Sequence, residues 1–215
     1  DFGSLPLKYY ICKLNAELLP QQQKEVRLVE TMFTVLKNIK EHVRSALFEN
    51  IYSTSEMFGM NLAKDQLLAQ LTSDNIEIVT ANSRLQKIIA VHKLRKNGIA
   101  PEIVGLTSPI KGKTLIFFYE SECGNCTVQM EELLKNYAEI QEKGIRVITI
   151  SADTDKNAFD ANSTHFPWKD KLCDYKGFDG DNFIYYGIYG TPTIYLLDKD
   201  RKILGVYSRL TDINI

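Results

Sequence analysis

Two cysteines, Cys123 and Cys126, are separated only by Gly124 and Asn125. Just before them, Thr114-Leu115-Ile116-Phe117-Phe118-Tyr119 is a continuous apolar run with the look of a buried strand. Just after them, Met130, Leu133, Leu134, Tyr137 and Ile140 fall on one helical face. The pair therefore stands where a strand hands over to a helix, with Cys123 at the N-cap or in the first turn. Unpaired backbone N–H groups there face the sulfur and favour thiolate, lowering a thiol pKa by on the order of one unit or more. Cys126 follows about one helical turn later, so the two sulfurs lie side by side. Such a pair opens and closes a disulfide with little backbone movement: Cys123 attacks, a mixed disulfide forms, and Cys126 resolves it. A bare CxxC is a weak signal, whereas one at a strand-to-helix junction is much stronger. The competing readings are a chance pair of small buried residues and a zinc site. Zinc needs two further ligands, yet there is no second CxxC, and His42, His92 and His165 are scattered, so no metal is expected.

The elements around the pair fall into two grammars. Up to about residue 97 the pattern is helical. Val29, Met32, Phe33, Leu36, Ile39, Val43 and Leu47 mark one long helix, and Pro20 separates it from an opening segment, Tyr9 to Leu19. Further helical stretches hold Leu67, Leu68 and Leu71, then Leu85, Ile88 and Ile89, and Ser73 or Asp74 could cap a helix entering Ile76. Asn97-Gly98 and Ala100-Pro101 then mark a connection. Beyond it strands and helices alternate. Ile145 to Ile150 is a second strand, Lys156 to Tyr189 a less regular helical region, and Thr193 to Leu197 a third strand. Asp198-Lys199-Asp200 turns that strand into a hairpin partner, Ile203 to Tyr207. Strand–helix–strand with buried strands implies parallel pairing, and the terminal hairpin adds antiparallel strands. The expectation is a helical region over 1–97 and a mixed sheet flanked by helices over 98–215.

Composition narrows the classes of function. The chain has 215 residues, 26 basic and 27 acidic side chains, and a formal net charge of −1. No large positive field results, so nucleic acid is not an expected partner. No apolar run is long enough to span a membrane. Four cysteines are too few to staple a mini-domain. The chain begins at Asp1, so a removed segment is expected, and the sequence leaves open whether that is a signal peptide, a lipid-anchor segment or a mere choice of starting point. Thr211 to Ile215 looks like the opening of a further helix.

Gly190-Thr191-Pro192-Thr193, directly before a strand, joins the cysteine pair in a pattern that resembles the thioredoxin superfamily. The resemblance is closer to the TlpA/ResA-type proteins of bacterial envelopes, in forms common in Bacteroidetes. It is carried by Gly98-Ile99-Ala100-Pro101-Glu102-Ile103, Phe117-Phe118-Tyr119 and Tyr195-Leu196-Leu197-Asp198-Lys199-Asp200, and covers about residues 98–215. It implies a three-layer α/β/α thioredoxin-like domain with a mixed sheet. It implies a cis bond before Pro192, a substrate peptide paired with the backbone of Thr191, and Gly124 and Asn125 beside that peptide. It implies no cofactor beyond the redox-active disulfide, protein thiols or disulfides as partners, and residence in the periplasm or cell envelope, with the cytoplasm as the alternative.

Three departures from the family pattern bear on tuning. Phe117 stands where many thioredoxins bury an aspartate, Gln129 where ResA-like proteins often place a glutamate, and Glu122 where a tryptophan usually precedes the first cysteine. Glu120, Glu122 and Glu131 lie near the pair, and their charge opposes the helix dipole, so a less acidic Cys123 is expected than in strongly oxidising members. A peroxiredoxin would need threonine three residues before Cys123, and Glu120 is there instead. The leading reading is a thiol–disulfide oxidoreductase with Cys123 as nucleophile and Cys126 as resolving thiol. The rival is a non-catalytic interaction module whose disulfide is static. Cys12 is expected in the helical core and Cys173 as a semi-buried free thiol. Phe183, Tyr185, Tyr186 and Tyr189 either border the substrate groove or pack under the sheet, and Glu131 and Glu132 are expected on a solvated helix face.

Overall fold

The run 114–119 forms a strand buried along its whole length, β1 (Thr114–Tyr119), and the rest of the sheet is built around it. The structure is a computed structural model that describes residues 5–214, the side chains of residues 96 and 97 apart. Its contacts divide the chain into two units, residues up to Leu85 and residues from Gln86 onward. The division falls inside the last helix of the helical region, earlier than the change of grammar at 97/98.

The first unit is helical: α1 (Leu5–Ala16), α2 (Gln21–Asn38), α3 (Glu41–Met57), α4 (Asn61–Ser73) and the start of α5 (Ser83–Asn97). Ile11, Leu14, Leu28, Leu36, Phe48, Ile51, Leu67 and Leu71 form its core. The long helix expected from Val29 to Leu47 is two helices that break at Ile39-Lys40. The carbonyls freed at the break are satisfied by Arg44, which donates from Nε to the Leu36 carbonyl (2.9 Å) and from Nη2 to the Ile39 carbonyl (3.2 Å). The N-cap of α4 is Met60, which offers no side-chain cap, and the buried Glu25 of α2 accepts the Ala63 N–H at 2.9 Å instead.

Two expectations fail here. No helix enters at Ile76: residues 76–82 are irregular, a stretch whose β-branched Ile76, Ile78, Val79 and Thr80 add little helix propensity. The working cap is Asn82, whose Oδ1 accepts the Leu85 N–H at 3.1 Å. Cys12 is exposed rather than core, because Ile11 and Leu14 take the inward positions of α1.

The second unit holds β1, α6 (Gly124–Glu142), β2 (Arg146–Ser151), α7 (Lys156–Ser163), β3 (Asp170–Cys173), α8 (Asp181–Tyr185), β4 (Thr193–Leu197) and β5 (Ile203–Tyr207), with 3-10 turns at Gly177–Asp179 and Leu210–Asp212. The sheet order is β3-β2-β1-β4-β5. β1, β2 and β3 are parallel, while β4 runs antiparallel to β1, and β5 to β4. The mixed sheet and its terminal hairpin are those expected. β3 was not foreseen: Asp170-Lys171-Leu172-Cys173 is a half-buried edge strand too short and too polar to carry a period, and it interrupts the helical region expected over 156–189. Where Thr211 to Ile215 was expected to open a helix, the described residues show a 3-10 turn at Leu210–Asp212, and Ile215 lies outside the described residues.

Strand alternation sends side chains to two cores. Leu115, Phe117 and Tyr119 pack with Met130 and Leu133 of α6 and with Trp168. Ile116 and Phe118 pack with Phe183, Tyr186 and Tyr195 on the other face. Phe118 lies 5.2 Å from the rings of both Phe183 and Tyr186, in edge-on and tilted contact. These two cores separate three layers, helix over sheet over helix.

Candidate functional site

Antiparallel pairing of β1 with β4 sets Phe118 opposite Thr193, so the loop leaving β1 and the loop entering β4 emerge at the same end of the sheet. The first loop carries the cysteines. The Cys123 N–H bonds back to the Glu120 carbonyl at 3.2 Å, a tight turn that leaves Cys123 extended at φ −83° and ψ 108° as the N-cap of α6. Its sulfur accepts the Cys126 N–H at 3.2 Å, taking the place a serine or aspartate oxygen holds in an ordinary cap. The Thr127 N–H then donates to the Cys123 carbonyl at 3.0 Å and the helix is under way. No acidic side chain lies in its first turn. The two sulfurs are at disulfide distance, with Cα atoms 5.1 Å apart.

The sulfurs differ in access. Cys126 is 1% exposed and belongs to the core under α6, beside Phe117 and Met130. Cys123 is only partly buried, and its neighbours Gly124 and Asn125 are exposed. A Cβ placed on Gly124 would meet nothing within 4 Å, so the space beside this residue is open. The second loop lies opposite. The Thr191–Pro192 peptide bond is cis, and the Thr191 carbonyl oxygen is 3.7 Å from the Cys123 sulfur. The Thr193 hydroxyl donates to the Gly190 carbonyl at 2.8 Å and closes this loop on itself.

A buried carboxylate braces the cysteine loop from behind. Asp153, 6% exposed and just past β2, accepts from the Ser121 N–H (2.9 Å), the Ser121 hydroxyl (2.6 Å) and the Ser151 hydroxyl (2.6 Å). Ser121 is two residues before Cys123, so Asp153 ties the approach to the nucleophile onto the end of β2. Its charge reaches further. Burial pushes the Tyr119 hydroxyl far above its usual range, and the Asp153 carboxylate adds to that. Burial likewise pushes the Cys173 thiol up, with the Asp153 and Asp174 carboxylates adding and the Tyr175 backbone N–H opposing. Nothing in the sequence marks Asp153: Ser151-Ala152-Asp153 reads as an ordinary strand end.

The family departures have structural occupations. Phe117 is fully buried, and its ring tilts against that of Tyr119 at 6.3 Å. Gln129 accepts the Leu210 N–H at 2.7 Å and so holds the closing 3-10 turn against α6. Glu122 and Glu131 are exposed, Glu120 half-buried. Glu120 and Glu131, with His165 and Tyr119, line a cleft of about 160 Å³ that reaches Cys126. The aromatic cluster divides: Phe183 and Tyr186 are core, whereas Tyr185 and Tyr189 are exposed. Cys173 is half-buried, its sulfur 3.2 Å from the Asp153 carbonyl oxygen. Among the described residues no helix is long and apolar enough to cross a membrane, and no group of three or more His, Cys, Asp or Glu side chains is placed to hold a metal ion.

The chain is similar to several known proteins. The profile of the AhpC/TSA family matches residues 96–211. Thiol-disulfide oxidoreductase ResA from Bacillus thuringiensis subsp. konkukian (strain 97-27) is 30% identical over 95 residues, 44% of this chain and 54% of its own. The protein of the same name from Bacillus cereus (strain ATCC 10987 / NRS 248) matches to the same extent. The chain thus spans about half the length of the curated relatives it matches. Among solved structures, a thiol:disulfide interchange protein from Bacteroides sp. is 26% identical with a TM-score of 0.44, covering 52% of this chain and 80% of its own. A thiol-disulfide oxidoreductase from Bacteroides fragilis NCTC 9343 is 25% identical with a TM-score of 0.41, covering 46% and 76%.

Proposed function

Because the chain belongs to the AhpC/TSA family, with curated relatives named thiol-disulfide oxidoreductase, we propose that it exchanges disulfides with protein substrates through Cys123 and Cys126. The observation that carries this reading is the pair itself: two sulfurs at disulfide distance at the mouth of α6, the outer one accessible and the inner one buried. In the reducing direction the Cys123 thiolate attacks one sulfur of a substrate disulfide, and the other sulfur leaves as a thiolate that takes up a proton. The mixed disulfide is then broken by Cys126, which loses its proton, bonds to the Cys123 sulfur and releases the second substrate thiol. Two electrons pass to the substrate, and the protein is left with its internal disulfide. The oxidising direction is the same path reversed.

The difference in burial supports Cys123 as nucleophile and Cys126 as resolving thiol, since an incoming chain reaches Cys123 first. The backbone of Thr191 ahead of Pro192 offers the edge along which an extended substrate lies, with Gly124 and Asn125 leaving room above it. Protein thiols or disulfides are the partners, and the periplasm or cell envelope is the compartment in which such exchange is most useful.

A redox titration tests the proposal. In graded glutathione or dithiothreitol buffers, Cys123 and Cys126 should interconvert reversibly between dithiol and disulfide, with the couple lost in Cys123→Ser. A disulfide that stays closed across the whole range would favour the static interaction module.

A further inference from the structure

Lys87 and Val91 lie one turn apart on α5, in the stretch that belongs with the sheet unit. Gly187, just past α8, passes directly over them. Its φ is +62°, and a Cβ there would run into the Val91 side chain and come within 3.1 Å of the Lys87 carbonyl oxygen. Only glycine allows the backbone to lie this close. Two residues on, the Tyr189 ring centroid is 5.5 Å from the Lys87 ammonium, and the Phe178 ring centroid is 5.6 Å from it.

Lys87 is 6% exposed, a rare condition for lysine. Burial pulls its ammonium below the usual pKa, and the Asp179 carboxylate opposes that. A desolvated cation against two ring faces is the setting in which cation–π attraction is strongest. Of its two rings, Phe178 packs edge-on against the core residue Phe183 at 5.4 Å, and Tyr189, 56% exposed, immediately precedes Gly190-Thr191-Pro192.

We infer that Lys87 is a positioning residue for substrate binding: by holding Tyr189 against the core it fixes the Gly190–Thr191 backbone that a substrate peptide lies along. The inference rests on the proposed exchange with protein substrates. It also gives α5 a part in the redox site that no motif in the sequence announces. A small disulfide that meets Cys123 alone does not use that backbone edge, whereas a polypeptide does.

The test uses the full chain, with insulin as the protein disulfide and dithiobis-nitrobenzoate as the small one. Lys87→Met, which keeps the stem and removes the charge, should raise KM for insulin roughly fivefold to tenfold, the range expected for a desolvated cation–π contact. The kcat, the reduction potential and the rate with the small disulfide should stay within about twofold. Lys87→Arg keeps the charge over the rings and should lose less than Lys87→Met. Amide exchange at Ile188 to Thr191 should quicken in Lys87→Met and less in Lys87→Arg. Tyr189→Leu, which removes the ring at the other end, should reproduce the KM effect and covers a poorly folding Lys87 variant. An unchanged KM and unchanged exchange in Lys87→Met would overturn the inference, as would an equal loss of rate on both disulfides. A wild-type chain inert toward both would instead refute the exchange reading, and the amide exchange would still decide whether Lys87 holds the loop.

Discussion

Asp153→Ala probes the brace behind the cysteine loop. The substitution removes three accepted hydrogen bonds, all from neutral donors. The Ser151 hydroxyl is the costliest loss, because Ser151 is buried and water does not replace the acceptor; an unsatisfied buried donor costs about 1–3 kcal/mol. The two Ser121 donors sit on a half-exposed loop where water takes over, so each contributes about 0.5–1 kcal/mol. Loss of a desolvated charge offsets part of this. The net is about 2–3 kcal/mol, or about 5–10 °C in midpoint for a unit of this size. Trp168, the only tryptophan and buried in the sheet unit, reports urea unfolding of that unit by fluorescence. Asp153→Asn keeps one acceptor oxygen and should cost about 1 kcal/mol. An alanine variant that unfolds within about 0.5 kcal/mol of wild type would refute the brace, because that lies inside the range of an ordinary surface change.

Thiol alkylation should separate the two free cysteines. Cys12 is exposed, while Cys173 is half-buried with its thiol pushed up, so less of it is thiolate at any given pH. With the active pair oxidised at pH 8, mass spectrometry should find Cys12 modified first, and the Cys173 rate should climb with pH well past the point expected of a free thiol. Tyr195, held by its hydrogen bond to the Tyr186 carbonyl, has its hydroxyl pushed up to about 12 by burial. The unfolded chain therefore releases this proton first, near pH 10. The folded state binds this proton more tightly between pH 10 and 12, so the Tyr195 contribution to stability is full below pH 10 and falls by about 2–3 kcal/mol as pH rises through that window, with the raised Tyr119 and Tyr186 hydroxyls adding to the loss. Ultraviolet titration of the phenolates alongside alkaline unfolding measures it. Gly187→Ala should destabilise by more than about 1 kcal/mol, since it combines positive φ with a collision on Val91, and calorimetry of the variant checks it.

How far the sequence could be read depended on whether a signal was local. β1 and β5 were legible because Thr114–Tyr119 is apolar throughout and Ile203–Tyr207 follows a clear turn. The cysteine pair was legible because a strand-to-helix junction can be recognised from its neighbours alone. The break at Ile39-Lys40 was not, since the apolar spacing runs straight through it and the compensation comes from a side chain in the next helix. β3 was hidden because an edge strand needs only one face and one neighbour. Asp153 and Lys87 were invisible for a different reason: each acts through partners distant in the chain, Ser121 in one case, Phe178 and Tyr189 in the other. A buried lysine looks like any helical lysine until the rings that enclose it are known.

The pairing of Phe118 with Thr193 has a consequence for how this fold tolerates change. The nucleophile and the proline loop are neighbours because two central strands are aligned, and that alignment is set by strand pairing rather than by the length of the turns between them. Segments inserted or deleted at the far turns of that intervening stretch should leave the sulfurs and the Thr191 carbonyl in register. A slip of a single residue between β1 and β4 would send one strand's side chains to the opposite cores and separate the two loops at once. The site is thus robust to length and fragile to alignment, which makes the two central strands the part a redesign should leave alone.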